Sequence, residues 1–234
     1  MTATVANRTV FTTLDEMVQP AHTALLLVDL QNDLIGESGF CAKRRPDDVA
    51  RLRTPLPDIL KLHATARSAG VMTVYIKLET LPGGAAETDA NLSRLLAQWN
   101  GTIPDWATEG TWGSEFIPEL PAPTRRDVVV RKRRQDSFTG TDLDLVLRSH
   151  GIRSVVILGV TTSGCVMYTA RDAMMHGYYV IVPTDCIGSQ REDWHDATIV
   201  IMKRLFNYVG PSDAVAEAWS SSRKLEMSAA GARA

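Results

Sequence analysis

Cysteine is scarce: the 234 residues hold three, Cys41, Cys165 and Cys186. An odd number with no metal-type spacing argues against a disulfide framework and fits a reducing compartment. Long apolar runs are missing too, since no stretch approaches the roughly 20 residues of a membrane span. The segment MTATVANRTVFTTLDEM also lacks the apolar core of a signal peptide, which points to the cytoplasm. Nor is there an excess of charge. The 25 basic and 27 acidic residues leave a formal net charge of -2, and the basic cluster RKRR is followed at once by Gln135 and Asp136. Such a balance offers no field for nucleic acid. There is no internal repeat. What the chain does have is 44% hydrophobic content, enough for one sizeable core at a length too short for two ordinary domains.

Apolar strand patterns near residues 24–29, 72–77, 127–131, 154–158, 178–182 and 207–209 alternate with helical stretches near 47–69, 89–98, 141–149, 164–176 and 193–204. Alternation of this kind predicts an α/β fold, a doubly wound, mostly parallel six-stranded sheet of Rossmann-like form with helices on both faces. We divide the chain into an N-terminal extension (1–20), one domain (21–220) and a flexible tail (221–234). The Pro- and Gly-rich connections 81–86 and 103–123 are long for this architecture, and long loops beside an active edge are usually lids or subunit contacts.

Three strand ends carry chemistry. In VVILGVTTSGCVMYTARDAM an apolar strand stops at Gly159 and a helix follows from about Gly164, so Cys165 sits at a strand-to-helix turn. Free N–H groups and the helix dipole there would lower the thiol pKa towards a thiolate near neutral pH. An unpaired intracellular cysteine is more often a small buried hydrophobe. Two companions change that balance. Asp29 ends the apolar run in TALLLVDLQND, at the carboxyl edge where open α/β sheets place their ligands. Lys132 ends DVVVRK and reaches the same edge. Alone, Asp29 could cap a turn and Lys132 could be one more solvated charge. Together they put an acid, a cation and a nucleophile on one rim.

These residues resemble the isochorismatase-like cysteine hydrolases. The resemblance runs from about residue 23 to 209 and rests on four blocks: LLLVDLQND, VVVRKRRQDSFTGTDLDLVLR, GVTTSGCV and ARDAMMHGYYVIVPTDCIG. It implies that Asp29, Lys132 and Cys165 form a catalytic triad. It further implies a non-proline cis peptide between Val160 and Thr161, with backbone N–H groups of Thr161, Thr162 and Cys165 serving as an oxyanion hole. Nicotinamidases of this family carry an Asp-x-His-x-x-His metal site, but here the matching stretch YIKLETLPGGAAETD has no histidine. The resemblance therefore implies no metal and no cofactor. Because the thiol is kept, it points to cleavage of an amide, ureido or lactam C–N bond in a small molecule through a thioester. The branches most alike are the carbamoylsarcosine and maleamate amidases and the biuret and ureidoacrylate hydrolases. A homo-oligomer, dimer or tetramer, is also implied.

Gln31, Phe40, Trp112, Phe138 and Tyr168 are candidate substrate contacts, each aromatic having core packing as its plain alternative. Two other functions remain open on the residues. A thiol redox sensor would use Cys186 as the resolving partner, and a non-catalytic binding protein could use the same fold. The intact Asp29, Lys132 and Cys165 set argues against the second.

Overall fold

A computed structural model describes residues 2–231 of the chain, with side chains as far as residue 221. A short hairpin, β1 (Ala3–Val5) and β2 (Arg8–Val10), leads through helix α1 (Leu14–Met17) into strand β3 (Thr23–Val28). Helices α2 (Asn32–Ile35), α3 (Phe40–Arg44), α4 (Pro46–Arg53) and α5 (Leu56–Ser68) follow, then β4 (Met72–Leu78), α6 (Asp89–Gln98), β5 (Val128–Lys132) and α7 (Leu143–Ser149). The second half runs β6 (Ser154–Val160), α8 (Met167–Met175), β7 (Tyr179–Pro183), β8 (Ile187–Gly188), α9 (Glu192–Leu205), β9 (Tyr208–Gly210) and α10 (Ser212–Gly231).

All six expected strands are present, parallel, in the order β5-β4-β3-β6-β7-β9. The expected count of six is corrected to seven, because the two-residue β8 pairs with the end of β6 at Gly159 and Val160. Every residue of β3 and β6 is buried, as strands covered on both faces must be. One core lies against α5 and α10 through Ile59, Leu62, Val215 and Trp219. The other lies against α7, α8 and α9 through Leu147, Ala170, Ala173 and Met202. Helices therefore cover both faces.

Several departures from the sequence expectation have local causes. The single helix expected over 47–69 is two, α4 and α5, because Pro55 has no N–H to continue the first. The turn after β6 is a π-type turn at Thr162–Val166, and the regular helix starts only at Met167. The N-terminal segment reaches the domain at Phe11, whose ring lies 5.1 Å from that of Tyr179. Helix α10 is held by Trp219, fully buried, whose indole N–H donates to the Val18 carbonyl at 2.7 Å. Its backbone is helical as far as Gly231, across much of the expected tail, and residues 232–234 lie outside the described residues.

The long connection 103–123 is tied down directly beside β3. The Ile117 N–H donates to the Leu30 carbonyl at 3.0 Å, and the Asn32 N–H to the Glu115 carbonyl at 2.9 Å. Its second half is thus a strap under the sheet edge, while Ile103, Pro104 and Trp106 in its first half line a cleft.

Candidate active site

The strand order reverses between β3 and β6, the point where an open α/β sheet leaves a crevice outside its carboxyl ends. Asp29 is the first residue past β3, and its φ of 57° turns the chain out of the strand. Aspartate tolerates this left-handed conformation better than most residues. Its N–H still donates to the Ile76 carbonyl at 3.0 Å, so the carboxylate is held by the sheet itself. Beside it, Val28 pairs with Gly159, where φ is 120° and a Cβ would run into the Val28 carbonyl oxygen. Only glycine lets the two strands close here.

Lys132 ends β5 and shares a face with Val130, so its stem runs inward and both it and Asp29 are almost fully buried. Its Nζ lies 2.9 Å from Asp29 Oδ2. It also donates hydrogen bonds to the carbonyls of Arg134 at 3.1 Å and Gln135 at 2.9 Å. Burial would pull this ammonium down, but the Asp29 charge, helped by the contact with Cys165, more than offsets it and holds its pKa above the ordinary lysine value. Asp29 Oδ1 and Oδ2 are both buried with no donor in hydrogen-bond geometry, the Lys132 contact being an ion pair.

The Cys165 thiol interacts with both Asp29 and Lys132. Burial first, then the Asp29 charge, push its pKa up to about 12, with Lys132 opposing. The expectation of a resting thiolate is therefore corrected. The regular helix begins two residues past the sulfur, and a carboxylate sits against it, so its resting form at neutral pH is the thiol. The Val160–Thr161 peptide is cis. Thr161 lines the cleft beside Cys165. Thr162 is fully buried, and its hydroxyl pairs with His195 Nδ1 on α9 at 3.0 Å. Gly164 is pressed against Thr161, whose Oγ1 would lie 2.5 Å from an added Cβ.

Asp29 and Cys165 open into a cleft of about 1440 Å³. Of the candidate substrate contacts, Tyr168 lines it and is half exposed. The other four are placed elsewhere. Gln31 is fully buried and spends its amide on the Leu78 carbonyl (2.7 Å), the Ser114 carbonyl (2.8 Å) and the Leu78 N–H (2.8 Å), so it is a clamp between β4 and the strap. Phe138 is core, stacked 4.8 Å from the His176 ring. Trp112 is 58% exposed and outside the cleft lining. Phe40 stands behind the wall, edge-on to Trp99 at 5.6 Å and Trp106 at 6.0 Å, and those two indoles line the cleft.

Trp99, Trp106 and His195 escaped the sequence reading. His195 meets Thr162 across 33 residues of chain, and no local pattern announces such a contact. Cys186 is buried in the core and Cys41 is half-buried, both as free thiols, and burial pushes both pKa values up. Among the described residues no three His, Cys, Asp or Glu side chains are grouped to hold a metal ion. No helix among them is long and apolar enough to cross a membrane.

Residues 23–214 match the family model described as the isochorismatase domain. The ureidoacrylate amidohydrolase RutB of Acinetobacter baylyi is 28% identical over 222 residues, covering 90% of this chain and 89% of that protein. Among solved structures, an isochorismatase-like hydrolase from Alkaliphilus metalliredigens superposes with a TM-score of 0.71 at 33% identity, covering 85% of this chain and all of that one. The N-carbamoylsarcosine amidase of Thermoplasma acidophilum superposes with a TM-score of 0.63 at 29% identity, covering 82% and 97%.

Proposed function

The chain belongs to the isochorismatase family of hydrolases, and from that premise we propose that it is a cysteine-dependent amidohydrolase that cleaves an amide, ureido or lactam C–N bond in a small molecule. One observation carries the reading: a buried Asp29–Lys132 ion pair at 2.9 Å, in contact with a thiol that opens into the cleft. The names of the relatives, a ureidoacrylate amidohydrolase and a carbamoylsarcosine amidase, support the same bond type.

Burial and the Asp29 charge hold the thiol far above neutrality, so the resting enzyme carries the thiol and not the thiolate. Deprotonation is therefore coupled to attack. Asp29 accepts the thiol proton as sulfur bonds to the substrate carbonyl carbon, and Lys132 balances the charge left on sulfur. The oxyanion takes hydrogen bonds from the backbone N–H groups of Cys165 and of Thr161 or Thr162, a contribution of about 2.7–4 kcal/mol per donor in a serine protease. Asp29 then returns the proton to the leaving nitrogen, and the C–N bond breaks to give ammonia or an amine and a thioester on Cys165. Water, deprotonated by Asp29, attacks the thioester and releases the acid, or the carbamate when the substrate is a urea. Each proton leaves and returns through one carboxylate.

The reaction suits a cytoplasmic protein, where thiols stay reduced. Exposed apolar side chains on α8 and α9, namely Met175, Trp194, Val200 and Ile201, support a homo-oligomer. The test of the activity is ammonia release from carbamoylsarcosine, biuret, ureidoacrylate, maleamate and nicotinamide, and ring opening of a cyclic lactam followed by mass spectrometry as a gain of one water, with wild type and Cys165→Ala side by side. Release by wild type that disappears in the variant is expected. Equal release by both would overturn the mechanism.

A further inference from the structure

The cleft is much larger than the bond it serves. At about 1440 Å³ it exceeds the roughly 300–1,000 Å³ of ordinary ligand pockets. Asp29, Cys165, Thr161 and Gly164 border it. The same cleft is bordered by Leu81, Leu95, Trp99, Ile103, Pro104 and Trp106, from α6 and the two long connections, an apolar wall interspersed with Glu87, Asn91, Arg94 and Gln98.

Trp99 and Trp106 are the largest side chains of that wall. Their rings meet edge to face at 5.1 Å, and both lean edge-on against Phe40, so three aromatics from separate segments brace one another. The Arg45 guanidinium lies 4.3 Å from the Trp99 ring centroid and fixes it further. Neither indole is buried to the degree of a core tryptophan such as Trp219, and both border the same space as Cys165. A wall of braced, partly uncovered indoles gives a flat apolar group large contact area at little cost in side-chain ordering. A short polar ureide would leave this wall wet.

Resting on the reaction proposed above, we infer that the substrate is an amide or ureide with a bulky planar apolar body, aromatic or fused-ring, which packs against Trp99 and Trp106 while its C–N bond lies at Cys165. The two tryptophans are then specificity-determining residues. The triad acts on one bond, and the tryptophans select the body that carries it.

Two readouts test it. The first is kcat/KM for ammonia release from propionamide, benzamide and 2-naphthamide. We expect a rise of roughly 10- to 100-fold from first to last, the scale on which apolar pockets discriminate. Trp106→Ala should collapse that ratio, and Trp106→Phe should keep most of it, which separates lost packing from lost folding. The second is independent of turnover: 2-naphthoate should quench tryptophan fluorescence saturably in wild type and in Cys165→Ala, at a concentration at least tenfold below that needed in Trp106→Ala. A kcat/KM that is flat or falls with size, or quenching unchanged in Trp106→Ala, would overturn the inference. Saturable quenching without cysteine-dependent turnover of any amide would uphold the aromatic subsite and refute the reaction.

Discussion

Replacing Asp29 with asparagine should make the thiol more reactive while destroying catalysis. In the resting enzyme, burial and the Asp29 carboxylate together push the Cys165 thiol up to about 12. An Asp29→Asn side chain would keep the shape and remove the charge, leaving the Lys132 ammonium beside the sulfur. Loss of one adjacent like charge lowers a pKa by about 1–3 units, so the thiolate fraction at pH 8 should rise about 10- to 1,000-fold. Nucleophilicity falls with thiol basicity at a Brønsted slope of about 0.4–0.5, which returns part of that gain. The net expectation is alkylation by iodoacetamide about 3- to 50-fold faster than wild type at pH 8. Labelled peptides must be resolved by mass spectrometry, because Cys41 also borders the cleft. Turnover should fall to background in the same protein, since no carboxylate remains to carry the proton. Slower or unchanged labelling of Cys165 would refute the electrostatic argument, and retained turnover would refute Asp29 as the base.

Lys132→Met leaves a buried carboxylate without its cation, and breaking such a pair costs about 3–5 kcal/mol. A calorimetric melting temperature lower by about 6–20 °C is expected, with no turnover. Gln31→Ala removes three buried hydrogen bonds between β4 and the strap and should cost about 2–4 kcal/mol in urea unfolding, while the pH profile of Cys165 alkylation stays as in wild type. Alkaline stability gives a third check. Cys165 and Cys41 are raised from 9.0 to about 12 on folding, so between those values the folded state holds more protons than the unfolded one, and stability falls as pH rises. Each thiol contributes a slope of up to about 1.4 kcal/mol per pH unit, and Cys165→Ala should flatten the measured decline above pH 9.

The sheet was legible in the sequence because its strands are continuous apolar runs ended by polar residues, as in Leu25–Asp29 and Val128–Lys132. The same runs exposed the rim, since a carboxylate, an ammonium and a thiol fall where three of them stop. The thiol's protonation state was not legible. It depends on the distance between Asp29 and a sulfur 136 positions later, and on a helix that begins at Met167 instead of Gly164. Pocket walls were equally hidden. Phe40, Trp112 and Phe138 looked alike as loop aromatics, yet one braces the wall, one faces solvent and one is core. Trp99 and Trp106 reach the cleft only through the fold of the long connections. Helix α10 escaped notice because its apolar residues are few, but Val215, Ala218 and Trp219 fall at spacings of three and four and form one buried stripe.

The most direct test of the central claim is mass spectrometry of the enzyme quenched in acid during turnover of an amide that the ammonia assay identifies as a substrate. An added acyl mass is expected on the peptide containing Cys165, lost on incubation with hydroxylamine and missing from Cys165→Ala. Turnover in wild type with no adduct at Cys165, persisting undiminished in Cys165→Ala, would contradict it.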